Sequence, residues 1–248
     1  MLEVNGLSKR FGGLQAVRDV ALTVNEGAIT ALIGPNGAGK TTTFAMVAGF
    51  IRPDAGSVRF LGKEMAGLRP DRIAALGMVR TFQVTQPFAG LSVMENIRIG
   101  AFLHEADPGL AEVLAREVGT RLGLGAILDR PASGLTVAAR KRLEVARALA
   151  TQPRLLLLDE VMAGLNPSEL GEIVSMIRAV RDGGVTILLI EHIMAAVAAL
   201  AEEVNVMAEG ALIARGTPTQ IARDPAVVEA YLGHGAAARM AQSGARHA

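Results

Sequence analysis

The stretch Gly34-Pro35-Asn36-Gly37-Ala38-Gly39-Lys40-Thr41 satisfies the phosphate-loop pattern G-x-x-x-x-G-K-[ST] at every fixed position. Glycines let the backbone curl so that successive N–H groups face phosphate oxygens, and a helix opening near Lys40 adds the positive end of its dipole. The apolar run Ala28–Ile33 reads as the strand that enters this loop, and Thr41–Phe50 as the helix that leaves it. Strand, loop and helix in that order predict an α/β nucleotide-binding fold. Asn36, Gly37, Ala38, Gly39, Lys40, Thr41 and Thr42 are then expected to hold ATP, with Lys40 on the β- and γ-phosphates and the Thr41 hydroxyl on Mg²⁺.

Two further apolar runs, Leu155–Leu158 and Val185–Ile190, are short, rich in branched side chains and bounded by polar or turn residues, the pattern of buried parallel strands. The first ends in Asp159-Glu160, two acids at a strand end, where ligands gather in open α/β sheets. Alone, such a pair is an ordinary solvated turn. Together with the phosphate loop it predicts Asp159 on the metal and Glu160 polarising the attacking water.

Upstream, apolar stretches alternate with the turn signals Gly12-Gly13 and Asn25-Glu26-Gly27, predicting an antiparallel β layer. From about Leu91 to Pro131 the spacing becomes helical, with Leu110, Val113 and Leu114 expected on the apolar face and Glu112, Arg116 and Glu117 outside. The predicted organisation is a single domain over 1–248. A mostly parallel core with the antiparallel layer occupies 1–90 and 151–233, a helical sub-domain 91–150, and a loosely ordered tail 234–248.

Composition narrows the function class. The 248 residues are 50% hydrophobic, yet no apolar run approaches the ~18–20 residues of a membrane span. With no basic and apolar leader pattern and no cysteine, a reducing cytosolic setting is expected. A net charge of +1 and 3% aromatics argue against a nucleic-acid partner.

Further residues stand in the order and spacing that the ABC ATPase family uses, and the resemblance spans nearly the whole chain. Phe11, with Val17 nearby, resembles the aromatic that stacks on adenine. Gln83, in Arg80-Thr81-Phe82-Gln83, resembles the glutamine that touches Mg²⁺ beside the transmembrane partner. His192, closing Leu188-Leu189-Ile190-Glu191-His192, resembles the histidine on the γ-phosphate. Ala163-Gly164-Leu165-Asn166-Pro167 and the ending Gly216-Thr217-Pro218 through Ala230-Tyr231-Leu232-Gly233 are similar to the ATP-binding subunits of branched-chain amino-acid importers, of the G type. The resemblance implies ATP-driven import of branched-chain or other hydrophobic amino acids. It also implies pairing with a second ATP-binding subunit, an F-type sibling, and contact with transmembrane permease subunits. The resemblance further implies a solute-binding protein that acts indirectly, and a peripheral place on the inner face of the cell membrane.

The family's Leu-Ser-Gly-Gly-Gln signature aligns with Leu135-Thr136-Val137-Ala138-Ala139, which keeps the leucine and a hydroxyl. Thr136 still suits a helix cap, and the amides of Val137 and Ala138 suit the partner's nucleotide, but β-branched Val137 resists any glycine-only backbone. Val161-Met162 and Asn166 also depart from the family's usual residues in the loop of Gly164, Leu165 and Asn166 that faces the dimer partner, so the two composite sites are expected to be unequal. Other readings remain open at this point: an importer ATPase for a different solute, a non-transport ABC ATPase, a P-loop GTPase or kinase, or a pseudo-ATPase.

Overall fold

The computed structural model describes residues 1–81 and 87–232. In chain order the elements are β1 (Leu2–Phe11), β2 (Leu14–Val24), β3 (Ile29–Ile33), α1 (Lys40–Val47), β4 (Ala55–Phe60), β5 (Lys63–Glu64), α2 (Pro70–Ala75) and β6 (Met78–Arg80). There follow α3 (Val93–Ala101), α4 (Pro108–Arg121), α5 (Val137–Leu149), β7 (Leu155–Asp159), α6 (Pro167–Asp182), β8 (Thr186–Ile190), α7 (Met194–Leu200), β9 (Glu203–Ala208), β10 (Ala211–Gly216), α8 (Pro218–Ile221) and α9 (Pro225–Leu232). The predicted α/β class holds. The contacts divide the chain into two compact units, Met1–Gly67 with the chain from Ile190 onward, and Leu68–Leu189. Among the described residues no helix is long and apolar enough to cross a membrane.

In the first unit, strands in the order β2-β1-β4-β5 form the antiparallel layer expected from the early turn signals. Leu2 and Val4 of β1 and Val20, Leu22 and Val24 of β2 are buried at the period of two that marks a sheet with one covered face, and Leu7 is buried beyond an irregularity in β1. A second set runs β10-β9-β3, antiparallel then parallel. Every residue of β3 is buried, which explains its unbroken apolar sequence.

The second unit holds β8-β7-β6, with β6 and β7 parallel. All five residues of both β7 and β8 are buried, as their apolar runs predicted. Helices α3, α4 and α5 realise the helical region. Ser92 and Glu95 form a reciprocal capping box that starts α3, and Asp107 caps α4 with Pro108 in its first turn.

The expected face of α4 is wrong. Its buried residues are Ala111, Ala115, Val118 and Gly119, while Leu110 and Val113 are exposed. The reason is close helix packing: a Cβ at Gly119 would lie 3.0 Å from Ile97 Cδ1 and 2.6 Å from Leu128 Cδ2, and one at Gly100 of α3 would collide with the Arg147 carbonyl of α5. Small side chains are therefore what fits inward, and the larger apolar residues are turned out.

Candidate functional site

The phosphate loop is built as its glycines require. Gly34, Gly37 and Gly39 have φ of 147°, 79° and 99°, values that L side chains rarely adopt. A Cβ at Gly34 would strike the Met207 carbonyl of β9, and one at Gly39 the Ala16 carbonyl of β2. The loop is thus pressed between two strands of its own unit, and Gly210 N–H donates to the Ala38 carbonyl at 3.1 Å to fasten it. Val17, expected near adenine, is fully buried, with its Cγ2 3.4 Å from where a Gly39 Cβ would stand.

The helix following the loop is α1, Lys40–Val47, ending before Gly49 at φ 78° rather than continuing to Phe50. Lys40 is buried, and its ammonium donates to the carbonyls of Gly34 at 2.7 Å and Pro35 at 2.9 Å. These bonds curl the lysine back over its own loop, where a phosphate oxygen would compete for it. Thr41 is exposed at the helix start and Thr42 half-buried, while Asn36 and Gly37 form the exposed tip. Phe11 is also exposed, at the end of β1, with the Lys9 ammonium 5.6 Å from its ring centroid. His192 is exposed two residues past β8, and its N–H donates to the buried Glu191 carboxylate at 3.3 Å.

In the second unit β7 delivers Asp159, which has no exposed surface. Its backbone N–H donates to Thr81 Oγ1 at 3.1 Å, and its Oδ2 accepts from Arg80 Nη2 at 2.7 Å in a buried ion pair. Its Oδ1 is buried with no partner among the described residues. Glu160 follows at φ 49°, a left-handed conformation that costs a non-glycine residue roughly 1–2 kcal/mol. Lys141 Nζ of α5 donates to the Glu160 carbonyl at 3.2 Å. Asp19, Leu61, Gln152 and Glu209 share this left-handed conformation, so the φ alone does not separate Glu160 from an ordinary turn residue.

The altered signature is an ordinary helix start. Thr136 caps α5 by accepting from Ala139 N–H at 3.2 Å, and Val137 is the exposed first helical residue with Ala138 buried behind it. Val137 therefore needs no glycine-only backbone here. Leu135 is buried, and a cavity of about 450 Å³ lined by Arg130, Ser133, Gly134, Leu135, Thr136 and Ala139 opens beside the cap. Gly164 has φ 79°, Leu165 is half-buried, and Asn166 caps α6 in a reciprocal box with Glu169, both bonds at 3.0 Å. Gln83 lies outside the described residues.

Arg80 and Lys141 were missed as site residues. Arg80 sat in a quoted motif, but its pairing with Asp159 depends on β6 lying beside β7. Lys141 sat in a basic run that reads as a solvated helix face, and nothing local marks it as buried.

With this geometry in hand, comparison with known proteins is decisive. The ABC transporter family matches residues 17–163. The chain belongs to the ABC transporter ATP-binding family. A shorter match over residues 211–237 is to the branched-chain amino acid ATP-binding cassette transporter segment. The chain is 40% identical to the high-affinity branched-chain amino acid transport ATP-binding proteins BraF of Pseudomonas aeruginosa and LivG of Escherichia coli, over 94% of this chain and 98% of each relative. It is also 37% identical to the lipopolysaccharide export system ATP-binding protein LptB of Escherichia coli, over 94% of this chain and 97% of that one. Among solved structures, a nucleotide-free ABC transporter cassette superposes with TM-score 0.86 at 31% identity, and the ADP conformation of MJ1267 with 0.85 at 32%. Each covers 94% of this chain and 99% of that one. The chain is thus an ATP-binding, ATP-hydrolysing transport subunit, of a family whose members work with permease subunits.

Proposed function

We propose that this subunit powers import of branched-chain or other hydrophobic amino acids, in a heterodimer with an F-type ATP-binding sibling, on permease subunits at the inner face of the membrane and fed by a solute-binding protein. The observation that carries the cargo is the match over residues 211–237, a segment that begins with β10 and includes α8 and α9, because overall identity of 40% to amino-acid relatives and 37% to an export relative separates cargoes weakly. Reconstitution with candidate permeases and binding proteins tests it. Leucine or a similar solute should stimulate ATP turnover several-fold, and stimulation by an unrelated solute alone would redirect the assignment to another importer or exporter.

In this reading Lys40 and the amides of Asn36 through Thr42 hold the triphosphate, and Phe11 stacks on adenine with Val17 behind the loop. Glu160 is the general base toward water, His192 contacts the γ-phosphate, and Gln83 relays nucleotide state toward the permease. Thr41, Asp159 and Gln83 would hold Mg²⁺, whose charge neutralises the β- and γ-phosphate oxygens. Hard oxygen donors suit that ion, and the buried Asp159 Oδ1, which has no partner among the described residues, would be available to it directly or through water. The helical stretch 91–150 serves as the sub-domain that offers Leu135, Thr136, Val137 and Ala138 to the partner's nucleotide, with Gly164, Leu165 and Asn166 on the same dimer face. The helix start supports this, since its first amides have no intrahelical acceptor and carry the positive dipole end. Glu160→Gln is expected to bind ATP normally and lose turnover by a hundredfold or more, on the order of what general-base removal costs. Undiminished steady-state hydrolysis by that variant removes Glu160 from the role.

A further inference from the structure

Lys141 is 7% exposed, and its ammonium donates to the Glu160 carbonyl oxygen at 3.2 Å, an acceptor it shares with the Ala163 N–H at 3.3 Å. A buried ammonium gives up hydration that an aliphatic side chain of the same length would not have to surrender, so its retention points to work done by the charge or the hydrogen bond. The work is visible at Glu160. That residue stands at φ 49°, in a region where the chain has few neighbouring conformations to relax into except by leaving it altogether. Its carbonyl orientation is its ψ angle, and holding the carbonyl holds the backbone from which the carboxylate projects. Thr136, which caps α5, lies five residues before Lys141 on the same helix, about 7.5 Å along a rigid axis.

We propose that Lys141 is a positioning residue for hydrolysis. Together with the Ala163 N–H on the same carbonyl, it locks the left-handed backbone of Glu160 so that the carboxylate is aimed, and of the two it alone ties that aim to the helix whose N-terminus carries the altered signature. A shift of α5 at the Thr136 end would then be felt at the base without any change in the phosphate loop. The inference rests on the assignment of Glu160 as general base.

The test uses the full chain assembled with its partner subunits, reading kcat and KM for ATP, affinity for a fluorescent ATP analogue, and the thermal midpoint. Lys141→Met keeps the aliphatic stem and removes the donor. It should lower kcat by ten- to a hundredfold, the order expected from misplacing a catalytic group by up to an ångström. KM and nucleotide affinity should stay within twofold, and Lys141→Arg should recover most of the rate. A Lys141→Met enzyme with wild-type kcat, beside an inactive Glu160→Gln, overturns the positioning role and leaves the base in place. A rate loss that tracks a fall in thermal midpoint and is not recovered by Lys141→Arg makes the lysine structural and also overturns it. Turnover by Glu160→Gln itself would sink the base assignment and the proposal together, a result distinguishable from the other two.

Discussion

Replacing Arg80 by methionine leaves the Asp159 carboxylate, which has no exposed surface, without its 2.7 Å ion-pair partner in a setting where Arg80 itself is 8% exposed. Deleting one member of a buried pair costs about 3–5 kcal/mol, because the remaining charge loses its partner and gains no water. For a chain of this length each kcal/mol moves the thermal midpoint by about 2–4 °C, so Arg80→Met should melt about 6–20 °C lower. Asp159→Asn should also destabilise, by removing the carboxylate that the guanidinium pairs with. The double variant Arg80→Met, Asp159→Asn removes both charges, and it should be more stable than the sum of the singles by about 2–3 kcal/mol. Circular dichroism melts and urea titrations of the four proteins, without nucleotide, measure the cycle. A methionine variant melting within about 2 °C of wild type, or single effects that add within ~0.5 kcal/mol, would falsify the view that Asp159 is held by this pair.

Three other perturbations test neighbouring features. Gly39→Ala places a Cβ against the Ala16 carbonyl at a φ of 99°, so ATP-analogue affinity should fall at least about tenfold and the melting point should drop; normal affinity would mean that the loop has room it does not show. Asn96, fully buried on α3, accepts from Phe88 N–H at 2.9 Å and donates to the Phe88 and Ser92 carbonyls at 3.1 and 2.9 Å, so Asn96→Leu should cost about 2–4 kcal/mol in urea unfolding. The Lys9 ammonium, followed by the Arg10 N–H, holds the Asp54 carboxyl below its ordinary value. A lowered folded-state value means stability present above the unfolded carboxylate range and lost as pH falls through the lowered one. Asp54→Asn should therefore flatten the acid limb of a melting-point-against-pH curve, and an unchanged limb would count against the tie.

Legibility followed the range of the interactions. The phosphate loop was readable because its chemistry is carried by consecutive backbone groups, and the glycine φ values of 147°, 79° and 99° are what that loop demands. β3, β7 and β8 were readable because full burial on both faces leaves unbroken apolar sequence. The face of α4 was misread because hydrophobicity alone ranks Leu110 above Ala111, whereas the helix contact selects by size, as Gly119 against Leu128 shows. Asn166 was read as a dimer-loop departure, and its visible work is a helix cap with Glu169; the Asn-x-x-Glu spacing was the available signal. Arg80 and Lys141 were hidden for a different cause. Their partners are 79 and 19 residues away in sequence, and no local pattern encodes contacts that the pairing of β6 with β7 and the placement of α5 create.

The altered signature now supports a sharper form of the unequal-site expectation. At the start of α5 the Thr136 oxygen already accepts the Ala139 N–H, so the hydroxyl keeps its proton to offer to a phosphate, as the family's serine would. The first amides are retained as well. What differs is the side-chain layer over them, since the exposed Val137 isopropyl group stands where a glycine leaves the backbone bare. A phosphate oxygen must reach hydrogen-bond distance of about 2.7–3.2 Å from an amide, and a branched side chain at the first helical position hinders that approach without removing a donor. In the proposed heterodimer the weakened contact would belong to the site whose phosphate loop is the partner's, while the site with this chain's Lys40 would face the partner's signature. Lys40→Ala should therefore abolish most turnover of the heterodimer, and the matching lysine substitution in the partner should leave the larger share. Val137→Gly should narrow the gap by restoring the partner's site. Equal losses from the two lysine substitutions, or a Val137→Gly variant that leaves both rates unchanged, would mean that the side-chain layer at this helix start does not govern the contact.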